Sequence, residues 1–132
     1  MILKTSESDN ASPDDAAIDE VLSQLDAKEN PFAILATDDM NYMQTSGSAN
    51  TGFVLEYQAG SIDRHFWASD AQIPIEEVAE AFKSYLRQNA QWKSGFDWEK
   101  QDLAAKGSGC ASVLAFTLVL SGILSITVWI VV

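Results

Sequence analysis

Near the start of the chain, apolar residues recur at helical spacing. Ile18, Val21, Leu22 and Leu25 sit at i, i+3, i+4 and i+7, so they share one face of a 3.6-residue period. Ser12-Pro13-Asp14-Asp15 precedes them and supplies a capping hydroxyl, a proline at the first helical position and acids beside the positive helix end. A short helix is predicted from there to about Lys28–Asn30, where Pro31 blocks its continuation.

The period then shortens to two. Four runs of strand length, residues 32–37, 42–45, 53–58 and 64–68, are separated by Asp38-Asp39, by a Ser/Gly-rich stretch from Ser46 to Gly52, and by Ala59-Gly60-Ser61. That spacing predicts an antiparallel meander. In the third run Phe53, Leu55 and Tyr57 alternate with Val54, Glu56 and Gln58, so one face is apolar and the other partly wet. A helix from Pro74 is predicted to cover the apolar face. Its stripe is Ile75, Val78, Ala79, Phe82, Tyr85 and Leu86, with Glu76, Glu77 and Glu80 early and Lys83 and Arg87 late, in the sense of the helix dipole.

Residues 110–132 contain no charged side chain. As a helix they would extend roughly 35 Å, against a hydrocarbon core of about 30 Å, and so predict a transmembrane anchor. Lys93, Lys100 and Lys106 precede this span, which places the N-terminal domain in the cytosol as a single-pass, tail-anchored membrane protein. Within the span, Thr117, Ser121 and Ser125 recur at i, i+4 and i+8, a possible helix-packing face. The same hydroxyls can instead bond back to their own helix. Cys110 reads as a small boundary residue or an acylation site. Trp92, Phe96 and Trp98 lie upstream, where an aromatic belt or a domain core would each accommodate them.

The expected organisation is a disordered acidic tail over residues 1–11, a small α+β domain over 12–106, a hinge over 107–109 and the anchor over 110–132. The tail lacks aromatics and is rich in Ser, Asp and Asn from residue 5, a composition that does not repay ordering. The fold expected is a short helix, a four-stranded antiparallel meander, a covering helix and then the transmembrane helix.

Net charge is -11, with residues 1–40 carrying ten acids against Lys4 and Lys28. Such a field disfavours nucleic acid and favours a basic partner. The single cysteine forms no internal disulfide and belongs to no zinc motif. His65, the only histidine, has no nucleophile motif around it, and Glu56 and Asp63 are placed to meet Arg64 or His65 as a charge cluster. Asp14-Asp15 and Asp38-Asp39 lack the ligand alternation of a calcium loop, and Gly47, Gly52 and Gly60 are too dispersed for a phosphate loop. No catalytic residue, cofactor or metal is indicated.

Phe53-Val54-Leu55-Glu56-Tyr57-Gln58 and Gly60-Ser61-Ile62-Asp63-Arg64-His65-Phe66, with Glu77, Val78, Ala81-Phe82, Tyr85-Leu86, Trp92-Lys93, Phe96 and Trp98-Glu99-Lys100, resemble a small uncharacterised bacterial α+β domain family over about residues 32–100. The resemblance implies a bacterial origin and a conserved small domain, and it carries over no activity and no catalytic residue. In size and acidity the chain is also similar to bacterial immunity proteins. The reading is a non-enzymatic membrane-tethered interaction or regulatory module with a protein partner. The alternatives are an immunity-type inhibitor of a toxin, or a small subunit of a membrane complex.

Overall fold

The computed structural model describes residues 1–102. Its elements are β1 (Ile2–Thr5), β2 (Asp9–Asn10), α1 (Asp15–Ser23), β3 (Phe32–Asp38), β4 (Asn41–Ser48), β5 (Gly52–Ala59), β6 (His65–Ala68), α2 (Ile75–Leu86), α3 (Gln91–Ser94) and β7 (Trp98–Gln101). The strands form one seven-stranded antiparallel sheet, ordered β2-β1-β3-β4-β5-β6-β7, so the α+β class holds. Among the described residues no helix is long and apolar enough to cross a membrane. The predicted anchor over 110–132, with Cys110, Thr117, Ser121 and Ser125, and the hinge over 107–109 lie outside the described residues.

The predicted meander corresponds to β3 through β6, each strand paired with the next. Turn chemistry sets its corners: the Asp38 carboxylate accepts the amides of Met40 and Asn41 at 2.8 and 2.9 Å, and these bonds, with the Asn41 side chain, hold its pKa below the usual value. At the start of β5 the chain is gripped from outside the hairpin. Phe53 exchanges both backbone hydrogen bonds with Ile73, at 3.0 and 2.9 Å. Gly52, at φ +80°, is required there, because a Cβ would lie 2.7 Å from Gln72 Cα.

Two expectations are corrected. Residues 1–11 are not a disordered tail: β1 pairs with β3 from Ile2↔Ala36 to Thr5↔Ala33, and Leu3 is 2% exposed. The reason is long-range, since Leu3 finds its burial beside a strand some thirty residues later, which local composition does not reveal. Thr5 Oγ1 then accepts the amides of Glu7 and Ser8 at 3.1 Å and turns the chain into β2. The sheet is also not four-stranded. β7 adds to the other edge through four residues, Trp-Glu-Lys-Gln, whose charges mask a strand pattern.

α1 is capped by Asp14, which accepts the Ala17 amide at 2.8 Å, and not by Ser12. It stops at Ser23, where Asp26 gathers the amides of Lys28 and Glu29 into a turn, lowering its own pKa. α2 covers the sheet as predicted. Val78 and Phe82 are fully buried with Ile18, Leu22, Leu35, Met43, Phe53 and Leu55 in one core, against which Ile75, Tyr85 and Leu86 pack. Lys83–Asp19 (2.8 Å) and Arg87–Asp15 ion pairs tie α2 to α1. α2 ends with Gln88 in the left-handed region, φ +59°, its amide bonded to Tyr85 O and the Asn89 amide to Ser84 O, the double bond pattern of a Schellman turn.

Trp92 belongs to the domain core, and Phe96 and Trp98, partly buried, pack against it. Trp92 and Trp98 gather around Tyr57, whose ring stacks on Phe66 at 4.9 Å and meets them edge-on at 4.7 and 4.8 Å, and Phe96 packs against Trp98 at 5.6 Å. Trp98 Nε1 donates to Lys93 O at 3.0 Å.

Candidate functional site: the helix-free sheet face

Strand alternation sorts β4, β5 and β6 into two faces. Met43, Leu55 and Tyr57 point to the helices, so Tyr42, Gln44, Glu56, Gln58, His65 and Trp67 point the other way. Register then brings the polar members together: Gln44 lies opposite Glu56, Tyr42 opposite Gln58, Gln58 opposite His65 and Glu56 opposite Trp67. None of this is visible in the strands taken singly.

The contacts form a ladder across three strands. Gln44 Nε2 donates to Glu56 Oε2 at 2.7 Å. Tyr42 donates its hydroxyl to Gln58 Oε1 at 3.2 Å, His65 Nδ1 lies 3.2 Å from the same oxygen and 3.4 Å from the Tyr42 hydroxyl, and Gln58 Nε2 donates to Met40 Sδ at 3.2 Å. Tyr42, Gln44, Glu56, Gln58 and His65 are all buried. Burial raises the Glu56 carboxyl to about 7 even though the Gln44 hydrogen bond favours the carboxylate. Burial also holds His65 down to about 4, so its imidazole is neutral at pH 7, and raises the Tyr42 hydroxyl.

An apolar flank continues the face toward β1. Phe32, Ile34 and Tyr42, with Ala36, form a second cluster that contains no helix residue. Beside it an open groove is lined by Ile2, Ile34, Ala36 and Tyr42, with Lys4, Asp38 and Asp39 also bordering it. Ile2, Met40 and Trp67 are 38%, 42% and 42% exposed. They are three of the four large hydrophobic side chains exposed among the described residues, the fourth being Ile62. Ile2 and Trp67 belong to this face by register, and Met40 joins it through Gln58.

The structure therefore rearranges the charge cluster expected around His65. Glu56 and His65 do share a face, but Glu56 takes an amide as partner, while Asp63 and Arg64 sit exposed in the turn of Ile62–Arg64. Ser84, the buried serine of α2, is on the opposite side of the sheet and bonds Asn89 and the Trp92 amide. Among the described residues, no group of three or more His, Cys, Asp or Glu side chains is placed to hold a metal. Sequence reasoning flagged the face of Glu56 and Gln58 as partly wet; Tyr42 and Gln44, alternating with Met43 and Thr45, carried the same signal and went unread.

Compared with known proteins, the chain matches no family model, no curated protein and no solved structure.

Proposed function

We propose that this chain is a non-enzymatic, membrane-tethered interaction module, held by residues 110–132 with its α+β domain on the cytosolic side and its helix-free sheet face turned to a protein partner. The observation that carries the reading is the inequality of the two faces. One is closed by α1, α2 and α3, whereas the other leaves Ile2, Met40 and Trp67 partly bare around a polar ladder. Exposed apolar side chains that share one sheet face, beside a groove lined by Ile2, Ile34, Ala36 and Tyr42, suit a protein partner. With a net charge of -11, the partner that fits is apolar at its centre and basic at its rim.

The test is purification of the full chain from detergent-solubilised membranes at native expression, in parallel with Trp67→Asp and Glu77→Lys. A partner retained by wild type and by the α2 variant but lost from Trp67→Asp supports the reading. Recovery of the chain alone overturns it. The tether is checked separately: the full chain should resist carbonate washing of membranes, and a chain ended after Lys106 should not.

A further inference from the structure

We infer that Trp67 is the floor of a guanidinium site, in which an arginine side chain of the protein partner is held between the carboxylates of Glu56 and Glu99. The site rests on the partner proposed above and gives the chemistry by which that partner is recognised.

Register builds it. Glu56 lies opposite Trp67 on one side and Glu99 lies opposite it on the other, so the order across β5, β6 and β7 is acid, indole, acid on the helix-free face. Trp67 is 42% exposed and Glu99 is exposed, which leaves the indole open to a cation. Two strand spacings, about 10 Å, separate the acids. A planar guanidinium over the indole, donating from its edges at about 2.8 Å, fits that gap, whereas an ammonium is a compact point charge.

The domain spends its nearby cations elsewhere. Lys100 lies opposite Phe66, on the helix side. Lys93 stands over Trp92 at 5.4 Å, and the charge of Arg64 is felt at Tyr57, which also faces the helices. His65 is on the face of Trp67 but is neutral at pH 7. Lys4 shares that face at the far end of the row, about 14 Å from Glu56 across three strand spacings, beyond the Debye length of about 8 Å in physiological salt. Burial holds the Glu56 carboxyl up at about 7, opposed by the Gln44 hydrogen bond and by no positive charge.

Buried acceptors point to a ligand independently of the acids. Gln44 is only 6% exposed and gives its Nε2 to Glu56 Oε2 at 2.7 Å. Its own Oε1 therefore lies beside the same carboxylate, and that oxygen accepts no hydrogen bond among the described residues. On the Glu99 side, Gln101 Oε1 is buried in the same condition, two residues along β7. A buried acceptor without a donor is costly. A guanidinium carries five N–H donors and no acceptor, so it serves both carboxylates and keeps donors for these oxygens.

The experiment uses the full chain in neutral detergent, labelled with fluorotryptophan, and N-acetyl-arginine methylamide as the probe. Of the four tryptophans, the one whose fluorine signal Trp67→Phe removes should shift saturably with the probe, while the signals of Trp92 and Trp98 stay in place. The uncharged citrulline analogue should shift nothing, and the lysine analogue should bind several-fold more weakly. Glu56→Gln and Glu99→Gln should each weaken the probe several-fold, and Glu77→Gln on α2 should not. Unmoved Trp92 and Trp98 signals verify the fold of each variant, and Glu99→Gln, at an exposed position, decides if Glu56→Gln does not fold. No shift at Trp67, an equal response to either analogue, or undiminished affinity in Glu99→Gln would overturn the inference. A response at Trp67 when purification returns the chain alone would support the guanidinium site and overturn the protein partner. A partner lost from Trp67→Asp but kept by Glu56→Gln and Glu99→Gln would do the reverse.

Discussion

Glu56 Oε2 accepts a 2.7 Å hydrogen bond from the Gln44 amide, and the two residues lie directly opposite each other on β5 and β4. On the same face His65 lies opposite Gln58. Glu56 and His65 are shifted in opposite directions by the same cause, burial.

The first prediction follows from the signs. Glu56 rises from 4.5 to about 7, so the folded state holds a proton that the unfolded state releases; its contribution is complete below pH 4.5 and is lost as pH rises to 7. His65 falls from 6.5 to about 4, so its contribution is complete above pH 6.5 and is lost as pH falls to 4. The windows overlap and the slopes oppose. Urea unfolding should show wild-type stability flat to within about 1 kcal/mol between pH 4.5 and 6.5. Glu56→Gln should leave stability rising with pH, and His65→Gln should leave it falling, each by roughly 3 kcal/mol over its window. Parallel profiles for the two variants would show that the groups do not titrate as assigned.

Leu3→Ala should cost about 2 to 3 kcal/mol in chemical denaturation, because a side chain only 2% exposed is removed from between sheet and helices. A shift under about 0.5 kcal/mol would return residues 1–11 to the status of a tail.

Gly52→Ala should destabilise by about 2 kcal/mol or more, since it combines a positive φ with a 2.7 Å approach to Gln72 backbone. Gly60→Ala is the comparison. It shares a positive φ, but a Cβ there meets nothing within 4 Å, so the difference in denaturation midpoint isolates the clash.

Gln88→Gly should stabilise the domain by about 1 kcal/mol, because Gln88 pays the left-handed penalty at the end of α2. Thermal melting measures it. An unchanged midpoint would mean that the Gln88 side chain makes up the difference in the folded state.

The elements with a strong local period were legible from the residues alone. α2 announced itself through Ile75, Val78, Phe82 and Leu86, and β3 to β6 through their breakers. The elements that depend on a distant partner were not. Ile2 and Leu3 are too few to form a pattern, and Trp98-Glu99-Lys100-Gln101 looks like a linker until β6 pairs with it. The ladder was half legible for the same reason: alternation placed Glu56 and Gln58 on the wet face, but their meeting with Gln44, Tyr42 and His65 is a matter of register, which a single strand does not encode.

The sheet order also has a kinetic meaning. Strands β3, β4, β5 and β6 each pair with the next along the chain through short turns, whereas Thr5 meets Ala33 and Ala68 meets Trp98, each across about thirty residues. Closing those two long loops carries more entropy than zipping the central hairpins. The centre therefore assembles first and the outer strands join late. Amide exchange should be slowest in β4 and β5 and fastest in β1 and β7, and any tension transmitted from the C-terminal segment falls first on the strand that is last to arrive.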